Sequence, residues 1–344
     1  MMTDNKGLFP VSILGIGSYL PETIITNEDI SKIVETSDEW IVSRTGIKER
    51  RVVSGDESSV SLAVKAAKDA LDYAGISSAD IDLIITATSL PDSLYPSTSC
   101  EVQQAIGAKN AVAFDIVAAC SGFVYGLNVA RNFIMTGTYK TVLLIGVDVH
   151  SRFVDWTDRS TCILFGDGAG AIVLQRSEDG VDDILAVDLH SDGSKANELK
   201  IPIKTKNCPL VEPISEKEQI VFMNGKEIYK FAVSKVPDSI LQALKLADLT
   251  IDDLDYFIPH QANIRIVSAI TDRLKLDPSK VIVNLEKYGN TSTASIPVAL
   301  TEALKENRIK DSSIMAMCGF GAGLTWGTAV VRWRAKDKRN KANI

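Results

Sequence analysis

Two stretches of the chain carry the same grammar, and that repeat limits the fold more than any other feature. ALDYAGISSADIDLIIT, from Ala70, and ALKLADLTIDDLDYFIP, from Ala243, each read as a helix end, a polar turn, an Asp-apolar-Asp step and a strand. Gly166-Asp-Gly-Ala-Gly170 and Gly319-Phe-Gly-Ala-Gly323 form a second pair, each lying between apolar runs. Both pairs occur in the same order, which points to two similar halves. A chain of 344 residues is long enough to bury the large core such a pair needs. We place the halves at 1–180 and 181–344.

Short apolar runs alternate with helical patterns in both halves. Residues 11–16, closed by Gly17, and 82–88, 112–116 and 141–147 read as strands. Residues 60–73 and 121–135 read as helices, and Asn27 caps a short helix over 28–35. In the second half, 222–246 holds a long helix that Pro237 kinks or restarts. Residues 256–258, 281–283, 313–318 and 328–333 read as strands, and 191–220 as a polar surface excursion. Buried strands too short for helices, alternating with amphipathic helices, predict an α/β fold with covered sheets.

Lys plus Arg number 37 against 44 Asp plus Glu, a net charge of -7. That balance gives no bulk attraction to nucleic acid or anionic membrane. The five cysteines are odd in number, widely spaced and free of CxxC pairs, which argues against a disulfide framework and a structural zinc site. Three histidines are too few for a multi-histidine metal centre. Neither a signal-peptide core nor an apolar run of about eighteen residues is present, so a cytoplasmic protein is expected.

Cys120 stands out in AFDIVAACSGF, just past a strand and at a predicted helix start. Unpaired N–H groups and the helix dipole favour thiolate there. Small neighbours (Ala118, Ala119, Ser121, Gly122) leave room for a substrate. The competing reading is a buried cysteine acting as a small hydrophobe. His260, in FIPHQANIR, leaves a strand where an open α/β sheet forms clefts, but His150 and His190 also lie near strand ends. Asn290, in KYGNTSTAS, sits between a strand and a helix starting near Thr293, and an ordinary turn or cap explains it equally well. The 319–323 glycine run suits a tight turn that aims N–H groups at an oxyanion, with 166–170 as its structural twin.

Seven motifs in order then resemble one family: SDEWIVSRTGIKER (37–50), YPST (95–98), AFDIVAACSGF (113–123), TDRSTCILFGDGAGA (157–171), HQANIRI (260–266), YGNTSTASIP (288–297) and GFGAGLTWG (319–327). The chain resembles β-ketoacyl-acyl-carrier-protein synthase III, in the thiolase-like superfamily, from Ile13 to about Arg334. The resemblance implies a five-layered αβαβα fold of two duplicated halves, a homodimer, and a triad of Cys120, His260 and Asn290. It implies an oxyanion hole from the backbone N–H groups of Cys120 and Ala322. The family often has glycine at the latter place, and the donor survives the change if φ is negative. Trp40 and Arg159 resemble residues that sandwich the CoA adenine, and Arg44 one that contacts the nucleotide or its phosphates. Arg265 resembles part of a carrier-protein docking patch. Tyr95 resembles an aromatic that enters the neighbouring subunit's acyl pocket, where its bulk hints at acetyl.

The implied reaction is decarboxylative condensation of an acyl-CoA, with acetyl-CoA expected, and malonyl-acyl-carrier protein, without metal or redox cofactor. A homologue with another acceptor, a polyketide-priming enzyme and a non-catalytic acyl-CoA-binding subunit are the competing readings. The intact Cys120, His260 and Asn290 set argues against the last. The excursion at 191–220 is placed on the pocket roof. The basic tail VRWRAKDKRNKANI is read as frayed and solubilising.

Overall fold

The computed structural model describes residues 8–203, 205, 208–211 and 219–334. Strands β1 (Val11–Tyr19), β2 (Leu83–Ala87), β3 (Val112–Ile116), β4 (Thr141–Val149) and β5 (Asp167–Arg176) form one sheet, ordered β1-β5-β4-β2-β3. Strands β6 (Ile184–Ser191), β7 (Tyr256–Pro259), β8 (Ile314–Gly321) and β9 (Thr325–Arg332) form another, ordered β7-β8-β9-β6. Four strands of the first sheet correspond to the four of the second. β4 runs parallel to β2 and antiparallel to β5, as β8 runs parallel to β7 and antiparallel to β9. Val281 makes an isolated parallel bridge to β7, where β3 lies beside β2 in the first half.

Period-two alternation explains the layers. In β4, Val142 and Leu144 face a central core, while Leu143, Ile145 and Val147 face the outer helix α1 (Ser59–Ala74). In β8, Met315 and Met317 face the same central core, while Ala316, Cys318 and Phe320 face the outer helix α3 (Gly225–Leu246). Two further helices, α2 (Gly122–Met135) and α4 (Ser295–Lys305), fill the space between the sheets. Phe123, Leu127 and Ile134 of α2 pack with Ile296, Leu300 and Ala303 of α4. Burial of each large side chain contributes about 1.5–3 kcal/mol, so the central layer is the main source of cohesion. The result is α1, sheet, α2 with α4, sheet, α3.

Several expectations change. β1 continues through Gly17 to Tyr19, because Gly17 pairs with Ala171. Thr26, not Asn27, caps the first short helix, and its hydroxyl accepts from the Asp29 N–H. Pro237 lies inside an unbroken α3, held by the buried face around Val236 and Ile240. The 281–283 run is one bridge rather than a strand. β6 had no counterpart in the sequence reading, although Ile184, Ala186 and Asp188 are buried and alternate with half-buried Leu185, Val187 and Leu189. The glycine pair is not a structural repeat. Gly166–Gly170 runs into β5, whereas Gly319 and Gly321 end β8, the counterpart of β4. The pair from Ala70 and Ala243 is equivalent, since each spans an outer helix, a 3-10 turn and a parallel strand.

The chain's end is anchored as far as Arg334. Its guanidinium donates to Asp179, to the fully buried Asp183 and to Ser12 Oγ. Lys336, Lys338, Arg339 and Lys341 of the basic tail lie outside the described residues. Burial raises the Asp179 pKa, but hydrogen bonds from Ser177 and Arg334 outweigh it and hold it near 2. Arg334→Ala is expected to cost about 3 kcal/mol in urea unfolding, since it removes the cation paired with the buried Asp183 and the half-buried Asp179. Because the Asp179 pKa is depressed on folding, its part of that difference is full above the ordinary 3.8 and shrinks as pH falls toward 2. Equal unfolding midpoints at neutral pH would rule out this clamp.

Candidate active site

Both central helices begin at a 3-10 turn, and the two turns meet. Ala119–Ser121 precedes α2 and Ser292–Ala294 precedes α4. Their first residues have left-handed backbone, φ 45° at Ala119 and 51° at Ser292. Ser292 Oγ donates to Cys120 Sγ at 3.3 Å. Thr293 Oγ1 donates to Asp148 Oδ2 at 2.7 Å and lies 3.1 Å from the Ala119 carbonyl. The end of β8 closes the other side of Cys120. A Cβ at Gly321 would stand 2.9 Å from Cys120 Cβ and 3.1 Å from its sulfur, so only glycine fits.

Cys120, His260 and Asn290 line one cavity of about 1040 Å³. All three are buried, with 7%, 2% and 7% exposure. His260 directly follows β7, and its N–H donates to the Cys318 carbonyl of β8. Its Nδ1 lies 2.7 Å from Ser295 Oγ, the first residue of α4. Ser295 Oγ also accepts from the Gln261 N–H at 3.3 Å. No other acceptor for the serine hydrogen appears among the described residues, so that hydrogen points to Nδ1. The imidazole then carries its own hydrogen on Nε2. Asn290 follows the short helix Leu285–Tyr288 rather than a strand, and Gly289 joins them with φ 65°. Asn290 Oδ1 accepts from the Ser292 N–H at 2.9 Å, which leaves its Nδ2 as a donor.

Electrostatics inside the cavity follow burial. Burial pushes the Cys120 thiol up to about 12; the Ser292 hydrogen bond opposes this, while Asp148 adds to it. The helix start therefore does not make Cys120 a thiolate, since a dipole worth about 0.3–1 kcal/mol is smaller than this desolvation. Burial, with His150 nearby, lowers His260 to about 3, so the imidazole is neutral.

The other expected residues are spread around this centre. Ala322 lines the cavity one residue past Gly321. Positive φ among described non-glycine residues occurs only at Ala119, Asp248, Lys275, Ser292, Asn307 and Ser312, so Ala322 keeps its N–H without strain. Arg44 and Arg265 line the cavity and are exposed. Lys200, Lys226 and Lys230 join them, and no carboxylate lines the cavity among the described residues. Sequence reading missed these lysines, although Lys226 and Lys230 stand one helical turn apart at the start of α3. It also missed Ser292, whose role depends on a contact across the duplication, and Ser295, whose partner His260 lies on a separate element of the same half. Trp40 and Arg159 lie outside the cavity lining. The Arg159 guanidinium sits on the Trp40 ring, 4.7 Å from its centroid, and donates to the Glu35 carbonyl. A base between them needs about 7 Å, so the adenine slot is not preformed. Tyr95 is 87% exposed and does not line this chain's cavity. The 191–220 excursion does supply Leu199, Ile201 and Ile203 to the wall.

Comparison with known proteins gives the family. Residues 114–193 match 3-oxoacyl-[acyl-carrier-protein] synthase III, and residues 244–333 match its C-terminal part. A β-ketoacyl-[acyl-carrier-protein] synthase III of Natranaerobius thermophilus is 51% identical, covering 93% of this chain and 98% of that protein. The chain belongs to the β-ketoacyl-acyl-carrier-protein synthase III family. The crystal structure of the Aquifex aeolicus VF5 synthase III is 46% identical, with TM-score 0.87, over 94% of this chain and 100% of that one. The priming β-ketosynthase of the R1128 polyketide pathway is 32% identical, with TM-score 0.90, over 97% and 99%. The thiolase-like fold is therefore shared by these structures, and identity to the Aquifex aeolicus synthase III exceeds that to the polyketide priming enzyme.

Alkylation of Cys120 by iodoacetamide is expected to rise about tenfold per pH unit from 7 to 9 without a plateau, because its pKa stands near 12. Ser292→Ala removes the one side-chain donor that lowers this pKa. It should slow alkylation at pH 8 about tenfold or more, with an unchanged melting temperature. A plateau near pH 7 would contradict the burial argument.

Proposed function

We propose that this enzyme starts fatty acid synthesis by joining an acyl group from acyl-CoA to malonyl-acyl-carrier protein, with Cys120 as nucleophile. The observation that carries the residue roles is the convergence of Cys120 Sγ, a neutral His260 with its hydrogen on Nε2, and Asn290 with free Nδ2 hydrogens. Cys120 attacks the thioester carbonyl, the carbon–sulfur bond to CoA breaks, and the thiol proton leaves on CoA. Backbone N–H groups of Cys120 and Ala322 hold the oxyanion, each worth about 3 kcal/mol. The family resemblance and the unstrained backbone at Ala322 support this pair.

Malonyl-carrier protein then loses carbon dioxide. The electron pair of the broken bond moves onto the thioester oxygen, where His260 Nε2–H and Asn290 Nδ2–H donate to it. Neutral donors suit this step, because they stabilise an enolate without protonating it. The enolate carbon attacks the acyl-cysteine, and Cys120 leaves as thiolate and regains a proton from water. Ser295 acts behind His260 as a positioning residue. The cationic mouth formed by Arg44, Lys200, Lys226, Lys230 and Arg265 suits CoA phosphates and an acidic carrier protein. Trp40 and Arg159 serve the adenine once the guanidinium swings away from the indole.

The test is product mass spectrometry with acetyl-CoA, other acyl-CoAs and malonyl-carrier protein. Wild type should form 3-ketoacyl-carrier protein, and Cys120→Ala none. In the same assay Ser295→Ala should lower kcat for malonyl decarboxylation about tenfold with KM nearly unchanged, and move the His260 ¹⁵N signals away from the Nε2–H tautomer. Acylated Cys120 without condensed product from any primer would point to a different acceptor.

A homodimer fits the surface. Leu94, Tyr95 and Val117 are 73%, 87% and 77% exposed, beside the edge strand β3, and Leu94 and Val117 line the cavity. Exposed apolar side chains at a sheet edge mark an interface. Tyr95 then serves the acyl pocket of the second copy. Light scattering should read twice 37.3 kDa, and a monomer would exclude this arrangement.

A further inference from the structure

The two N–H groups assigned to the oxyanion come from different halves of the chain. Cys120 lies in the turn before α2, and Ala322 in the link between β8 and β9. Their spacing is set by whatever joins that turn to that link. β8 lies close against the turn: a Cβ at Gly319 would stand 2.7 Å from Ser121 Cα, and one at Gly321 3.1 Å from the Cys120 nitrogen. Contact of this kind fixes a separation but not an orientation. Among the described residues, no backbone hydrogen bond joins the turn to the link. Ala322 also stands between Gly321 and Gly323, and Gly323 has φ 135°. With glycine on both sides, its peptide planes turn more freely than those of a strand interior.

Two hydroxyls supply the missing connection. Ser121 Oγ, in a fully buried residue, donates to Thr325 Oγ1 at 2.7 Å. Thr325 is the half-buried first residue of β9, and its Oγ1 lies 2.8 Å from the Ala322 carbonyl. Ser121 Oγ and Thr325 Oγ1 also lie 2.7 and 3.1 Å from the Ala118 carbonyl, which already accepts the Ser121 N–H. Each hydroxyl has one hydrogen. The two hydrogens serve both contacts when Ser121 donates to Thr325 and Thr325 donates to Ala322. A chain of two bonds then runs from the nucleophile's turn in one half to Ala322 in the other.

We propose that Thr325 is a positioning residue for acyl transfer: its hydroxyl, backed by Ser121, holds Ala322 so that its N–H and that of Cys120 meet on one oxygen. This rests on the reading of Cys120 as nucleophile and of those two N–H groups as the oxyanion hole. Oxyanion donors must stand about 2.7–3.1 Å from the developing charge, and a displacement of about 1 Å costs about a hundredfold in rate. The enolate donors are held by other groups, His260 by Ser295 and Asn290 by the Ser292 N–H, so decarboxylation does not depend on this bridge.

The experiment compares two reactions of Cys120 in the full chain. Acylation by acetyl-CoA or by p-nitrophenyl acetate forms the Cys120 thioester as CoA or p-nitrophenolate leaves, and it passes through an oxyanion. Alkylation by iodoacetamide forms a carbon–sulfur bond as iodide leaves, and no oxyanion develops. Thr325→Val should slow acylation about tenfold or more at saturating acetyl-CoA, with KM nearly unchanged. Its alkylation rate, its primer-free decarboxylation of malonyl-carrier protein and its melting temperature should stay close to wild type. Thr325→Ser, which keeps the hydroxyl, should restore acylation to within about threefold of wild type, and Ser121→Ala should slow it about threefold. Unchanged acylation in Thr325→Val overturns the proposal. Equal losses of acylation and alkylation also overturn it, because they mark a general disturbance of the Cys120 turn. Ala322→Pro deletes the N–H itself: if it slows acylation and Thr325→Val does not, the hydroxyl bridge falls and the oxyanion pair stands. Acylation by the ester but by no acyl-CoA would count against CoA as the donor, and the ester rates would still decide the role of Thr325.

Discussion

Two helix starts forced against one another organise the site. α2 and α4 lie between two sheets, so their apolar side chains are enclosed and their positions are set by the core. Their opening turns have no freedom to separate. Ser292 reaches Cys120, and Thr293 reaches Ala119 and Asp148. Left-handed backbone at Ala119 and Ser292 costs about 1–2 kcal/mol each, a small sum beside the burial that imposes it. The duplication thus builds the site directly, with the nucleophile from one copy of the turn and its hydroxyl donor from the other.

Burial then decides the chemistry. Desolvation keeps the thiol protonated and both imidazoles neutral, so the site holds hydrogen-bond donors rather than ions. Charge stays at the mouth, where exposed arginines and lysines stand over an otherwise acidic protein. That separation fits a reaction whose reactive charge appears only briefly, on an oxyanion or enolate. Close approach of β8 to Cys120 is part of the same economy of space, because Gly321 brings backbone where a side chain would block the sulfur.

Much of the fold was legible from local pattern. The helix-turn-strand repeat from Ala70 and Ala243 survives as equivalent elements, because apolar periodicity and turn chemistry are local properties. The glycine pair misled for the same reason: similar letters served a strand start in one half and a strand end in the other. β6 escaped because its outward residues are themselves apolar, which blurs the alternation. Arg334 looked like part of a loose tail, since its partners Asp179, Asp183 and Ser12 lie far away in sequence.

The site divides in the same way. Sequence by itself determined the α/β class, the duplication, and the motifs that single out Cys120, His260 and Asn290. Those depend on residue type and short spacing. Only the tertiary structure decided which nitrogen of His260 carries its hydrogen, which end of Asn290 donates, that Cys120 is a buried thiol, and that His150 faces the same cavity. Each of these depends on hydrogen-bond geometry or desolvation between segments far apart in the chain, and neither quantity exists until the two halves pack together.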